Sequence, residues 1–208
     1  KEEKIEIVMV DVDIKDILNE NLEGMNFDPN KMTVPVISEK SVKGKDLSRN
    51  ETIFTGYSDL LQKFMPMADS GNIELIGKTK TIPQTYLGLE KDYPISWYFT
   101  KGGLPTVIVD DSVFKQLKKD LNPDIQQPTS TYIGIDIANQ EEVKDANRLF
   151  IEMKLNENAP NDSQLELTSS QKKNMGLVMF IVGFLGLSFL ITSGCILYFK
   201  QMGESEEE

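Results

Sequence analysis

The chain has no histidine, so its candidate chemistry starts with carboxylates, a glycine-flanked loop and one aromatic cluster. Two carboxylate pairs end apolar runs, Asp110-Asp111 and Asp11-x-Asp13. Neighbouring residues of a strand face opposite ways, so Asp110 and Asp111 cannot share a site if both are extended. Asp111 reads better as the N-cap of a following helix. Asp11 and Asp13 could share a face and hold a hard cation weakly, but no calcium-loop spacing follows them. The stretch from Gly71 to Thr79 (GNIELIGKT) looks like a phosphate loop, yet it places five residues between its glycines where that loop needs four. Its interior, Ile73, Leu75 and Ile76, reads as strand, so nucleotide binding is not expected there. Tyr93, Trp97, Tyr98 and Phe99 fall within seven residues, just before Lys101-Gly102-Gly103. Trp97 and Phe99 could be core residues of one strand face. The alternative is an amphipathic contact surface for a lipid head group or a peptide, and its candidate ligand-binding residues are Tyr93, Trp97, Tyr98 and Lys101.

The elements that would carry these residues follow from periodicity and punctuation. Residues 5–10 (IEIVMV) read as a buried strand and 33–37 as an edge strand, because Pro35 lacks a donor. Tyr57, Leu60, Leu61 and Phe64 make a helical face stopped by Pro66. Residues 72–87 alternate well enough for one or two strands around Pro83, and 95–100 for another, with Ile95, Trp97 and Phe99 on one side. Residues 106–110 (TVIVD) make a strand leading into a helix over 112–119. Residues 132–137 (YIGIDI) make a second strand, followed by a helix from about 140 to 154 that Asn139 and Glu142 cap. The expected fold class is α+β, or mixed α/β.

Composition narrows the function classes. Among 208 residues, 33 acidic groups stand against 22 basic ones, for a net charge of −11, and only Arg49 and Arg148 are arginines. This argues against a nucleic-acid surface. The absence of histidine excludes the familiar triads and zinc sites, and the single cysteine, Cys195, excludes an internal disulfide. No catalytic residue and no metal site is assigned. Residues 175–199 contain no charge, and 18 of these 25 are large apolar or aromatic residues or Cys. At 1.5 Å per residue they extend roughly 37 Å as a helix, enough to cross a bilayer core. Gly183, Gly186, Ser188 and Thr192 offer small surfaces for close helix packing within this span. The expected organisation is a mixed α/β domain over 1–158, a polar linker over 159–174, a transmembrane helix over 175–199 and the start of an acidic loop over 200–208. Lys172 and Lys173 against Lys200 would weakly place the N-terminal part in the cytoplasm. The chain lacks an initial Met and a signal sequence, and reads as a piece of a longer polypeptide.

The C-terminal stretch GFLGLSFLITSGCILYFKQMGESEEE, with TVIVDDSVFKQLK (106–118) and YIGIDIANQEEVKDANRLF (132–150), resembles the permease subunits of bacitracin-type peptide-antibiotic ABC transporters, the BceB-like branch of the FtsX-like permeases. The resemblance implies an extracellular domain and the eighth of ten spans in a bacterial plasma membrane, with further chain before Lys1 and after Glu208. It implies partners: a separate ATP-binding subunit that holds ATP and magnesium, and a membrane histidine kinase activated when antibiotic is present. It also implies a ligand, a peptide antibiotic bound to an undecaprenyl-pyrophosphate-type lipid. No cofactor is expected in this chain. The competing reading is a single-pass surface receptor or adhesion protein, for which Asn50-Glu-Thr52 and Asn161-Asp-Ser163 would be glycosylation sites.

Overall fold

Long-range strand pairing dominates the first half of the chain. The computed structural model describes residues 2–18, 32–64, 66–96, 99, 104–157, 161 and 163–205. Two compact units emerge, Lys1–Ala138 and Asn139–Glu208.

The first unit is built on β1 (Glu2–Asp13), β2 (Met32–Ser38), β3 (Glu51–Thr55), β4 (Gly71–Ile76), β5 (Thr81–Glu90), β6 (Thr106–Val109) and β7 (Thr129–Ile135), with helices α1 (Asp59–Phe64) and α2 (Asp111–Lys119). The pairings run β1–β2–β6–β3–β5–β4 and return to β1, so six strands close a barrel. β2–β6 and β3–β5 are parallel; the other pairs are antiparallel. β1 is long enough to serve two neighbours on one edge, β7 along Glu2–Val8 and β4 along Asp11–Asp13, while β2 occupies its other edge. Closure gives each of the six barrel strands a partner on both sides, which limits the exposed edge that would otherwise template aggregation.

Side-chain alternation sorts this wall into two cores. Val8, Val10 and Val12 of β1, Val34 and Val36 of β2, Phe54, Leu75, Tyr86, Val107 and Val109 fill the interior, and Val113, Phe114 and Leu117 of α2 join them. Their strand neighbours Ile5, Ile7, Ile37 and Ile108 face outward into a second cluster with Leu47 and Ile95. Glu39, itself buried, accepts a hydrogen bond from the Leu47 amide and so holds the loop that covers this outer cluster.

Three expectations need correction. β2 is not an edge strand: it pairs with β1 and β6. Pro35 is tolerated because Met9 opposite turns its own N–H to the Pro128 carbonyl, on the far side from β2. That pair is therefore a non-hydrogen-bonded one, and the missing donor of Pro35 would point towards β6, whose register begins only at Val36. The N-cap of α2 is Asp110, which accepts from the Ser112 amide at 3.0 Å; Asp111 is already the first helical residue. Of the strand expected at 95–100, residues 95, 96 and 99 are not in a strand and 97, 98 and 100 lie outside the described residues; Ile95 is buried as its apolar character requires. The break between β4 and β5 falls at 77–80, and Pro83 sits inside β5 opposite Glu74.

The second unit contains α3 (Gln140–Glu152) and α4 (Gln164–Ser205). Asn139 caps α3 by accepting from the Glu141 amide at 3.1 Å. Ser163, just before α4, donates to the Asn147 side chain of α3. α4 has 42 residues, so it is roughly 63 Å long and begins well before the apolar span. The large apolar residues of that span are exposed throughout, as expected of a helix whose solvent is lipid. An α+β barrel domain followed by one transmembrane helix is the observed class.

Candidate functional site: the mouth of the barrel

Strand directions divide the connections between the two ends of the barrel. The links β1–β2, β3–β4 and β5–β6 open at the end marked by Asp13, Thr55 and Glu90; the turn at 77–80 and the α2 connection lie at the other. α2 plugs that second end with Val113, Phe114 and Leu117. The first end is the mouth. The chain leaves the first unit beside Ile135, which pairs with Glu2 at the opposite end of β1, about 36 Å from Asp13 at 3.3 Å per residue.

The segment 91–105, which carries the predicted ligand-binding residues, joins the mouth ends of β5 and β6. Tyr93 is 51% exposed, and its ring lies over Gly56, where an added Cβ would meet Tyr93 Cδ1 at 3.5 Å. Gly56 has φ +69°, a conformation that favours glycine, so the turn leaving β3 is shaped to seat that ring. Trp97, Tyr98 and Lys101 lie outside the described residues. The residues on either side of Trp97 and Tyr98 pack on the outer wall: Ile95 with the outer cluster, and Phe99 edge-on to Tyr132 of β7 at 5.3 Å.

A cleft of about 430 Å³ opens at the mouth between Tyr57, Met67 and Leu89, with Asp59, Asp69 and Glu90 around it. Asp59 stands 3.8 Å from Lys91, and Glu90 pairs with Lys45. In the barrel interior Tyr86 is fully buried, its ring edge-on to Phe54 at 4.9 Å and its hydroxyl without a hydrogen-bond partner among the described residues. Burial pushes the Tyr57 and Tyr86 phenols up to about 12, and for Tyr86 the charges of Asp69 and Tyr57 add to the effect. Both phenols are therefore neutral hydrogen-bonding groups at physiological pH. This cleft has no signature in the sequence, because its walls come from three separate segments, 57–62, 67–69 and 88–91.

The other candidates turn out to be structural. Asp11 is buried and accepts from Thr33 Oγ1 at 2.5 Å and Asn122 Nδ2 at 3.1 Å, while Asp13 sits 3.6 Å from Lys15, so the pair does not act as one site. Asp111 accepts from Lys40 at 2.8 Å, Lys115 at 2.7 Å and Ser38 Oγ at 3.1 Å, and these bonds hold its carboxyl well below the usual range. The apparent phosphate loop is β4 plus a turn whose donors are already used. Asp120 accepts from the Thr79 amide, the Thr79 hydroxyl and the Lys80 amide at 2.7–3.1 Å. The chain's own carboxylate thus takes the place an anion would have. Among the described residues no three Asp, Glu or Cys side chains converge as a metal site would require.

On α4, an added Cβ at Gly183 or Gly186 meets nothing within 4 Å. Ser188 donates to the Phe184 carbonyl and Thr192 to the Ser188 carbonyl, both at 2.9 Å, so each hydroxyl is satisfied within its own helix. At 100° per residue the two glycines lie on one side of the helix and Ser188 and Thr192 roughly on the other. The four residues therefore offer two small surfaces.

No protein-family model matches the chain. It is 52% identical over 204 residues to the bacitracin export permease protein BceB of Halalkalibacterium halodurans, covering 98% of this chain and 32% of that protein. It is 49% identical over 202 residues to the protein of the same name from Bacillus subtilis, covering 97% and 31%. The chain thus spans about a third of the length of the curated relatives it matches.

Proposed function

The chain is BceB-like along nearly its whole length, and from that premise we propose that it is a permease segment of an ABC transporter acting on bacitracin-type peptide antibiotics. The observation that carries this reading is the identity of about 50% sustained through both the barrel and the membrane helix. Such identity over some 200 residues reflects common descent, and both relatives bear the same permease name.

In this reading the segment binds and positions, and its energy comes from elsewhere. The turn that resembles a phosphate loop is closed by Asp120, which is in keeping with ATP and magnesium being held by a separate ATP-binding subunit. The barrel stands on the outer side of a bacterial plasma membrane as part of a multi-pass protein. Its mouth, the end remote from the chain's exit, meets the antibiotic, alone or on an undecaprenyl-pyrophosphate-type lipid. A membrane histidine kinase reads the occupied state.

The test is a full-length permease, expressed with its ATP-binding subunit, in which 2–135 are replaced by a short flexible linker. Bacitracin resistance and kinase-dependent induction should both fall to the level of a strain without the transporter, with the protein still in the membrane fraction. Unchanged resistance would show that the barrel has no part in handling the antibiotic.

A further inference from the structure

β7 lies outside the closed barrel, with β1 as its one neighbour in the sheet. The Met9 amide donates to the Pro128 carbonyl at 2.9 Å, so that pair is a hydrogen-bonded one. In an antiparallel ladder every second pair repeats this, which gives Ile7–Ser130, Ile5–Tyr132 and Glu3–Gly134. Thr129, Thr131, Ile133 and Ile135 therefore turn their N–H and C=O groups away from β1, to an outer edge. Among the described residues none of these groups meets a backbone partner. All four residues are exposed, Ile133 at 56% and Ile135 at 74%. Exposed edges are usually guarded by a charge, a proline or a bulge. Thr129–Ile135 carries no charge and no proline, in a chain where 26% of residues are charged, and its register with β1 runs without a shift.

We propose that this edge is a docking site for an extended segment of a partner protein, which joins the sheet as a further strand beside β7. The edge itself selects the class, because an extended peptide backbone supplies donors and acceptors in the matching alternation along the strand. The added strand would lay alternate side chains beside Ile133 and Ile135, so apolar residues are favoured there. Charge selects against a second copy of this chain. The chain carries −11 overall, and Glu2 and Glu3 stand exposed opposite Ile135 and Gly134, with Lys4 the next residue along. A segment with basic flanks fits this surface. The edge ends at Ile135, just before the chain passes into the unit that holds the membrane helix. A partner anchored in the same membrane would be concentrated at this edge, which an interface as small as one seven-residue strand requires. The site lies apart from the mouth and goes beyond the reading above.

The probe is a fluorescently labelled, amidated peptide, Lys-Thr-Val-Thr-Val-Thr-Val-Lys, titrated by anisotropy against the complete permease with its ATP-binding subunit in lipid nanodiscs. Saturable binding above that of empty nanodiscs is expected. It should be about fivefold weaker with glutamate in place of both lysines, and lost when the Thr and Val amides are N-methylated. Ile133→Pro should weaken binding at least tenfold with the melting temperature little changed, because the amide it removes bonds nothing in the ladder. Thr131→Lys, which places a guarding charge on the edge, should do the same. Absence of saturable binding, or native affinity in both variants, overturns the site. Displacement of the peptide by bacitracin would make the antibiotic the occupant. Pairing of two permeases, seen by sedimentation of wild type and lost in Thr131→Lys, would make it a second copy. Either result overturns the assignment to a partner protein, and each leaves the role proposed for the barrel in handling antibiotic in place.

Discussion

At the residue scale, the carboxylates of this chain serve to hold loops and turns. Asp111 draws Lys40 and Lys115 together, and Asp110, Asp120 and Glu51 are likewise held below their usual range by the hydrogen bonds they accept, from Ser112, Thr79 and Ser48. A carboxyl depressed in the folded state contributes stability that is present above its unfolded value, near 4, and is lost as pH falls through the folded value. The barrel should therefore lose stability progressively below about pH 4. Thermal melts followed by circular dichroism from pH 7 to 2 check this, and Asp111→Asn should flatten the acid limb. The cap at Asp110 is separable: Asp110→Ala should cost about 1 kcal/mol at neutral pH, read from denaturant unfolding. The sequence marked both aspartates but put the cap one residue late, because two adjacent capping residues differ only in which amide each reaches.

At the element scale, the legible pieces were those whose signals are local. α3 starts at Gln140 after Asn139, and α2 ends where its apolar spacing ends. The β4–β5 hairpin was less legible, because its turn depends on a carboxylate 40 residues away. Gly77 accepts no side chain there: an added Cβ would run into the Asp120 carboxylate and lie 3.0 Å from the Lys80 carbonyl. Gly77→Ala should destabilise by about 1–2 kcal/mol, within the range for overpacked sites. Native-state hydrogen exchange at Thr79 and Lys80 should accelerate selectively. Unchanged exchange would show that Asp120 does not hold the turn. Of the strand expected at 95–100, the described residues 95, 96 and 99 are not in a strand, and for a related reason. Alternation reports which residues are buried, as Ile95 is, and burial does not require a strand.

At the scale of the whole molecule, the barrel and the membrane helix answer to different solvents. The barrel hides Ile, Val and Leu on both sides of its wall, whereas α4 exposes them along its length. The sidedness of the barrel is open to direct measurement, and the lysine flanks point the other way from the proposed function. Lys43 is exposed on the covering loop, so Lys43→Cys in a full-length background with every native cysteine, Cys195 included, changed to Ser provides a single reporter thiol. A membrane-impermeant maleimide should label it in intact cells. Labelling only after permeabilisation would place the barrel inside and overturn the assignment. Two lysines against one is a small bias beside a large folded domain, which translocates largely regardless of charge.

The sequence by itself determined the membrane span, the α+β class, the helices α2 and α3 with the cap of α3, and the similarity to BceB-type permeases. Each depends on composition, local periodicity or a contiguous motif, all of which one segment carries alone. Tertiary structure decided that the sheet closes, that Pro35 lies within it, and that Tyr57, Asp69 and Leu89 come to one cleft at the mouth. Those outcomes depend on register between strands far apart in the chain, such as Val36 with Val107 and Glu2 with Ile135. Register is set by which apolar faces bury together, and no single segment carries that information.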